Sequence, residues 1–221
     1  KAQFDFAGGG ADFKDVWIGF PGTPIGDIKV GHQKAPMGLE ENTSSKYIST
    51  MERGLHNALV PGRETGVTVG NQFCTDGWLD LGVFLDANDF GNDVSGNRSS
   101  EFNFVGRVHG RPWMDEDGDR PHFLRLGASA MVDYFDNDDF RFSARPMVHN
   151  APRFADTGTI PGALPSPRAM KADKGFRWGL ESAYVVGPFH MQAEYVHADV
   201  SVDGGGDPTF YGYTVQAGYF L

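Results

Sequence analysis

Apolar and polar positions alternate with a period of two through much of this chain. In residues 78–85, Leu79, Leu81, Val83 and Leu85 share one face. In residues 122–134, Leu124, Leu126, Ala128, Ala130, Val132 and Tyr134 do the same, opposite Arg125, Gly127, Ser129 and Asp133. Residues 140–145, 176–181 and 211–216 alternate as cleanly, and 13–20, 25–33, 65–73, 100–110 and 188–199 more weakly. Successive side chains of a strand point to opposite faces, so the pattern predicts about ten strands, each with one greasy and one polar or small face. Several run 9 to 13 residues, against the usual ~5–6. A tilted strand that crosses a membrane needs ~9–11 residues. The expected fold is therefore all-β, an antiparallel transmembrane barrel. A soluble β-sandwich would show the same faces turned inward to a protein core.

The connections divide into short and long. Residues 21–24 (Pro-Gly-Thr-Pro) and 74–77 (Cys-Thr-Asp-Gly) are tight turns. Residues 34–64 and 86–99 are far longer than the ~4–6 residue median. Short turns on one side and long loops on the other characterise outer-membrane barrels. Residues 149–173 break that rule on this strand count: either a strand is hidden there or the segment folds into the barrel. Within 34–64, Ser44 or Ser45 could cap a short helix running to Arg53, with Gly54 ending it. Leu39, Tyr47, Ile48, Met51, Leu55, Leu59 and Val60 would anchor this loop against something, and a pore is the available cavity.

The apolar faces carry no charged residue, as lipid contact requires: Arg or Lys near the midplane costs ~2–4 kcal/mol. Tyr134, Tyr184, Tyr195, Tyr211, Tyr213 and Tyr219 lie toward strand ends on those faces, where interfacial aromatics belong. The opposite faces carry Lys29, Arg107, Arg125, Arg141, Arg145 and Arg177 against Asp15, Asp27, Asp80, Asp133, Glu181 and Glu194. That balance shows no anion-selective lumen by itself. The acidic runs at 115–119 and 136–139 read as solvated turns.

Composition narrows the function classes. A formal net charge of -10 argues against a nucleic-acid binder. A single cysteine, Cys74, excludes an internal disulfide and a cysteine zinc cluster. No run of 18 apolar residues offers a spanning helix. Asp115-x-Asp117-Gly118-Asp119 resembles the start of a calcium loop, but Leu126 stands where such a loop needs Glu. No histidine metal motif, nucleophile elbow or phosphate-cradling glycine loop points to catalysis, a metal or a cofactor.

A resemblance then becomes specific. The stretch GDIKVGHQKAPMGLEENTSSKYISTMERGLHNALVPGRETGV resembles the signature of the phosphate-selective porin O and P family. HFLRLGASA, RFSARP with PRFADTGTIPG, VVGPFHMQAEYVHADV and YGYTVQAGYFL extend the likeness over nearly the whole chain. The resemblance implies a bacterial outer-membrane barrel of roughly sixteen strands, usually a homotrimer, embedded in outer-membrane lipid. Such a porin takes up small anions passively, phosphate or polyphosphate among them. With about ten strands, residues 1–221 would be one porin segment truncated at both ends, with an inward-folding loop 34–64. Ala35 and Met37 stand where the family commonly has an acidic residue and an aromatic, while Lys34 and Pro36 are kept.

On that reading Lys34, Lys46, Arg53 and Arg63 would form the constriction that binds the anion, with His56 beside them, as donors replacing part of its hydration shell. They could equally pair with Glu40, Glu41, Glu52 and Glu64 to hold the loop in shape. Lys29, Arg107, Arg125, Arg141, Arg145 and Arg177 would line the pore, either facing the anion or bracing the wall through carboxylates. A function of another class is an acidic, soluble sandwich or barrel acting as a binding module.

Overall fold

The computed structural model describes residues 1–6, 12–85, 102–115, 122–140, 142–145, 147, 152, 154–156, 170–202 and 206–221. Its strands are β1 (Ala2–Asp5), β2 (Asp12–Thr23), β3 (Gly26–Lys34), β4 (Arg63–Cys74), β5 (Gly77–Leu85), β6 (Phe102–Asp115) and β7 (His122–Phe140). After them come β8 (Ser143–Ala144), β9 (Ala155–Asp156), β10 (Met170–Val186), β11 (Phe189–Val202) and β12 (Thr209–Tyr219). Ten of these form one sheet in the order β1-β2-β3-β4-β5-β6-β7-β10-β11-β12, and every neighbouring pair is antiparallel. The fold is all-β, a single up-and-down antiparallel wall of ten strands. Among the described residues no helix is long and apolar enough to cross a membrane, which says nothing of strands.

One expected wall strand is replaced. Residues 140–145 do not add to the sheet, because β7 already runs to Phe140 and pairs with β10 to its end. Ser143–Ala144 instead pairs with Ala155–Asp156 in a separate two-stranded ribbon. The acidic run 136–139 lies inside β7, where the ladder to β10 holds Asp138 and Asp139 opposite Ala172 and Lys171, so it is strand and not turn. With that strand removed and β1 added, the parity is restored. Connections 24–25, 75–76, 116–121 and 187–188 fall at one end of the sheet, and 6–11, 35–62, 86–101, 141–169 and 203–208 at the other. β7 therefore ends and β10 begins at the long-loop end of the sheet, residues 170–173 belong to β10, and residues 157–169 lie outside the described residues. Residues 86–99 lie outside the described residues.

The two faces of the wall differ as the alternation requires. Outward-facing Ile18 (66% exposed), Leu81 (51%), Leu180 (53%) and Val215 (65%) belong to an exposed apolar surface of the kind that marks contact with another apolar phase. The sandwich alternative needs these residues buried, and they are not.

Aromatics flank the apolar surface at two levels. Trp113 stacks on Tyr184 at 6.1 Å with Phe189 beside it, level with Leu124. Phe102 stacks on Tyr134 at 5.1 Å. From Leu124 to Tyr134 the strand rises roughly 34 Å at ~3.4 Å per residue. A tilt of ~35–45° makes that about 25 Å of height, the thickness of a barrel's apolar band. Tyr195 and Tyr213, however, pair at the middle of β11 and β12 and not at an end.

The buried core lies on the opposite, inner face. There Phe84, Val105, Met131, Val196, Ala198 and Val200 pack against Ala35, Met37, Leu59 and Val60 of loop 35–62. Each fully buried apolar side chain contributes roughly 1.5–3 kcal/mol. Strands β5 to β11 are thereby joined across the concave side.

Gly31, inside β3, sits at φ +135°, and a Cβ there would lie 2.3 Å from the Val16 carbonyl oxygen. Gly31→Ala is expected to cost about 3 kcal/mol or more, strain plus clash. A lowered urea midpoint of the detergent-folded protein measures it; an unchanged midpoint would show that β2 and β3 yield freely.

Candidate functional site

Loop 35–62 is held by contacts distant in sequence. Its helix α1 covers Leu39–Asn42, and a single 3-10 turn covers Leu55–Leu59. The helix expected between Ser44 and Arg53 is absent. That middle follows bends and turns, and the helical turns form on either side of it, where the wall supplies partners. The Glu194 carboxylate of β11 accepts the backbone N–H groups of Leu39 at 2.9 Å and Glu40 at 2.6 Å, occupying donors that the first turn of a helix leaves unpaired. Asn42 donates through Nδ2 to the carbonyls of Ala35, Met37 and Gly38, closing the entry to the helix. Of the expected anchors, Leu39, Leu59 and Val60 are buried. Tyr47 (79% exposed) and Met51 (99%) are not, because the middle of the loop projects away from the core. Ala35 and Met37 are fully buried in their place.

The loop cations differ in setting. Lys34 pairs with the Glu41 carboxylate at 3.1 Å and donates to the Glu41 carbonyl. Arg53 donates to the carbonyls of Glu40 (3.0 Å), Glu41 (3.4 Å) and Thr43 (3.1 Å), with the Glu41 carboxylate at 3.3 Å. A guanidinium spread over three carbonyls stitches the loop to itself. Arg63, at the start of β4, pairs with Asp15 of β2 at 2.8 Å. Lys46 is exposed and has no carboxylate partner among the described residues. His56 is fully buried, its Nε2 3.7 Å from a Glu40 carboxylate oxygen and 3.6 Å from one of Glu194.

On the wall, Arg107 of β6 makes a two-pronged bond to Glu181 of β10, at 2.7 and 2.9 Å. Arg125 of β7 stands 3.7 Å from the same carboxylate, its side chain 28% exposed. Two guanidiniums thus share one negative charge. Arg177 of β10 is bidentate to buried Asp133 of β7, at 2.7 and 2.5 Å, and donates to the Leu59 carbonyl at 3.3 Å, tying the loop to the wall. Lys29 is exposed on the inner face of β3, over the Trp17 ring at 5.5 Å. It borders a cavity of about 470 Å³ with Thr68, Trp78 and Asp80 near the short-turn end. Arg145 follows β8 and, with Glu52, Arg53, Leu55 and Met147, lines a cavity of about 270 Å³ between loop 35–62 and the 142–147 segment. Arg141 lies outside the described residues.

Chemically, this surface is a wall with a plug fastened to it, and most of its cations are neutralised. Asp133 and Glu181 were legible only as inward-facing acids; their partners sit one or two strands away in the sheet. Glu194 carried a clearer signal. It opens the inward row Glu194-x-Val196-x-Ala198-x-Val200, which is apolar on a face where water was expected and so calls for a covering segment.

The model of the family described as phosphate-selective porin O and P matches residues 1–221. A curated relative, Porin O of Pseudomonas aeruginosa, is 27% identical over 226 residues, covering 95% of this chain and 49% of that protein. An uncharacterized protein of Caulobacter vibrioides is 27% identical over 205 residues, covering 88% of this chain and 38% of its own length. The chain thus spans about half the length, or less, of the curated relatives it matches.

Proposed function

Because this chain belongs to the phosphate-selective porin O and P family, we propose that it forms wall and constriction of a bacterial outer-membrane channel for passive uptake of small anions, phosphate or polyphosphate among them. One observation carries the transport reading: an exposed apolar surface of membrane height, flanked by aromatics, opposite an inner face that holds the charges and a folded loop. Lipid takes the outer surface and water the inner. The homotrimer rests on the family alone, and sedimentation in detergent tests it.

Anion preference comes from cations left under-neutralised. Lys29 and Lys46 are exposed without a carboxylate partner among the described residues. Arg125 reaches a carboxylate already held by Arg107. Loop cations Lys34, Arg53 and Arg63 shape the passage, and their paired charge adds little to its field. Planar-bilayer recordings test this. The protein is expected to form channels whose reversal potential favours anions, and Lys29→Glu with Lys46→Glu to reduce the permeability ratio roughly two- to fivefold per site, as ~0.5–1 kcal/mol exposed interactions do. Absence of channels defeats the transport reading. Cation preference in the unaltered protein defeats anion selectivity alone.

A further inference from the structure

The cluster formed by Glu40 of α1, His56 of the 3-10 turn and Glu194 of β11 does something ion pairing does not explain. One carboxylate oxygen of each glutamate and Nε2 of the histidine lie within 4.8 Å of one another, in side chains that are 0–1% exposed. Among the described residues, neither nitrogen of the His56 ring has a hydrogen-bond partner. The separations of 3.6 and 3.7 Å are too long for a charge-assisted hydrogen bond, which draws donor and acceptor to ~2.7–2.9 Å. They are close to the edges of a tetrahedron around a small ion. With metal–ligand bonds of ~2.0–2.2 Å, ligand atoms stand roughly 3.3–3.6 Å apart.

We propose that Glu40, His56 and Glu194 bind a divalent transition-metal cation of the zinc type, which latches loop 35–62 to the far wall. The donor set suits such an ion: two carboxylate oxygens and one neutral imidazole. Calcium, which takes 6–8 oxygen ligands, fits poorly. Charge points the same way. Two buried carboxylates beside one histidine retain an uncompensated negative charge even when the imidazole is protonated, whereas a dication with neutral imidazole leaves none.

The supporting shell is built. Gln216 Nε2 of β12 donates to the other Glu40 oxygen at 2.7 Å, and Gln192 Nε2 to the other Glu194 oxygen at 3.1 Å. The ring-facing oxygens themselves accept backbone N–H groups, that of Glu40 from Gly54 at 2.8 Å and that of Glu194 from Leu39 at 2.9 Å, each keeping a lone pair for an ion. These bonds orient both carboxylates toward the ring, as partners of metal ligands do. The ligands come from both helical turns of the loop and from the wall, so an ion there joins pieces that are 138 and 154 residues apart along the chain (194 − 56 and 194 − 40).

The test is calorimetric titration of chelator-treated protein in detergent with Zn2+, together with anomalous diffraction at the zinc edge. One equivalent is expected to bind, with its peak between the three side chains. His56→Gln, which keeps the volume, is expected to lower affinity at least ~100-fold, and Gln216→Leu by roughly 10- to 100-fold. No saturable binding by the unaltered protein, or binding that His56→Gln leaves unchanged, overturns the site. So does an imidazole doubly protonated both with and without Zn2+, which would make the cluster an ion-paired clasp. Conductance is recorded in parallel. Channels without zinc binding overturn this inference alone, and zinc binding without channels overturns the transport reading alone.

Discussion

Replacing Glu181 with glutamine is expected to destabilise the wall and to raise anion preference together. Arg107 is 5% exposed and its Nη2 is held by both Glu181 oxygens. Removing the carboxylate leaves a buried guanidinium uncompensated, which costs ~3–5 kcal/mol. Arg125, 3.7 Å away, loses its counter-charge in the same step. Two positive charges then face the passage where one was balanced. The unfolding midpoint in urea should fall, and the reversal potential should shift toward anions. Adding Arg107→Met to Glu181→Gln should restore much of the stability, because a buried pair replaced on both sides is nearly neutral. If the single substitution leaves stability unchanged, Arg107 has another partner within reach and the shared-carboxylate account fails.

Gly212→Val is expected to widen the channel while sparing the strand that carries it. Gly212 faces inward from β12, and a Cβ there would stand 2.8 Å from the Cα of His56. Valine suits an extended strand, so β12 itself should tolerate it. The 3-10 turn of the loop, whose backbone occupies that space, would not. Lifting it exposes Leu59 and Val60, each worth roughly 1.5–3 kcal/mol of burial. Single-channel conductance should rise, with noisier open current as the loop explores several positions. An unchanged conductance would mean that the loop is not what narrows the passage.

The wall was more legible than its plug. Outward-facing positions such as Leu79, Leu81, Val83 and Leu85 followed from alternation alone, because a strand has only two faces and one charged residue in the band reveals which is which. Residues 140–145 alternate just as cleanly yet lie off the wall. A short alternating run says that a segment is extended, not what it pairs with. The 3-10 turn and α1 escaped for a related reason. Both are shorter than any helix that local propensity can specify, and they are fixed by Glu194, Gln216 and Arg177, partners more than a hundred residues away. The long-loop motif singled out residues 34–64, and only the fold shows that Lys34 and Arg53 there are already bonded to carbonyls and carboxylates of the loop itself.

The topology also separates two stages of assembly. Every rung of the sheet joins strands that neighbour one another in the chain, apart from the small ribbon set between β7 and β10. The wall can therefore zip up hairpin by hairpin with little loop entropy to overcome. The bond from Glu194 to the Leu39 amide closes 155 residues, and β11 must be in place before it can form. In the channel proposed above, a newly inserted molecule would thus be wide-mouthed first and narrow only afterwards, when the finished far side captures the waiting loop.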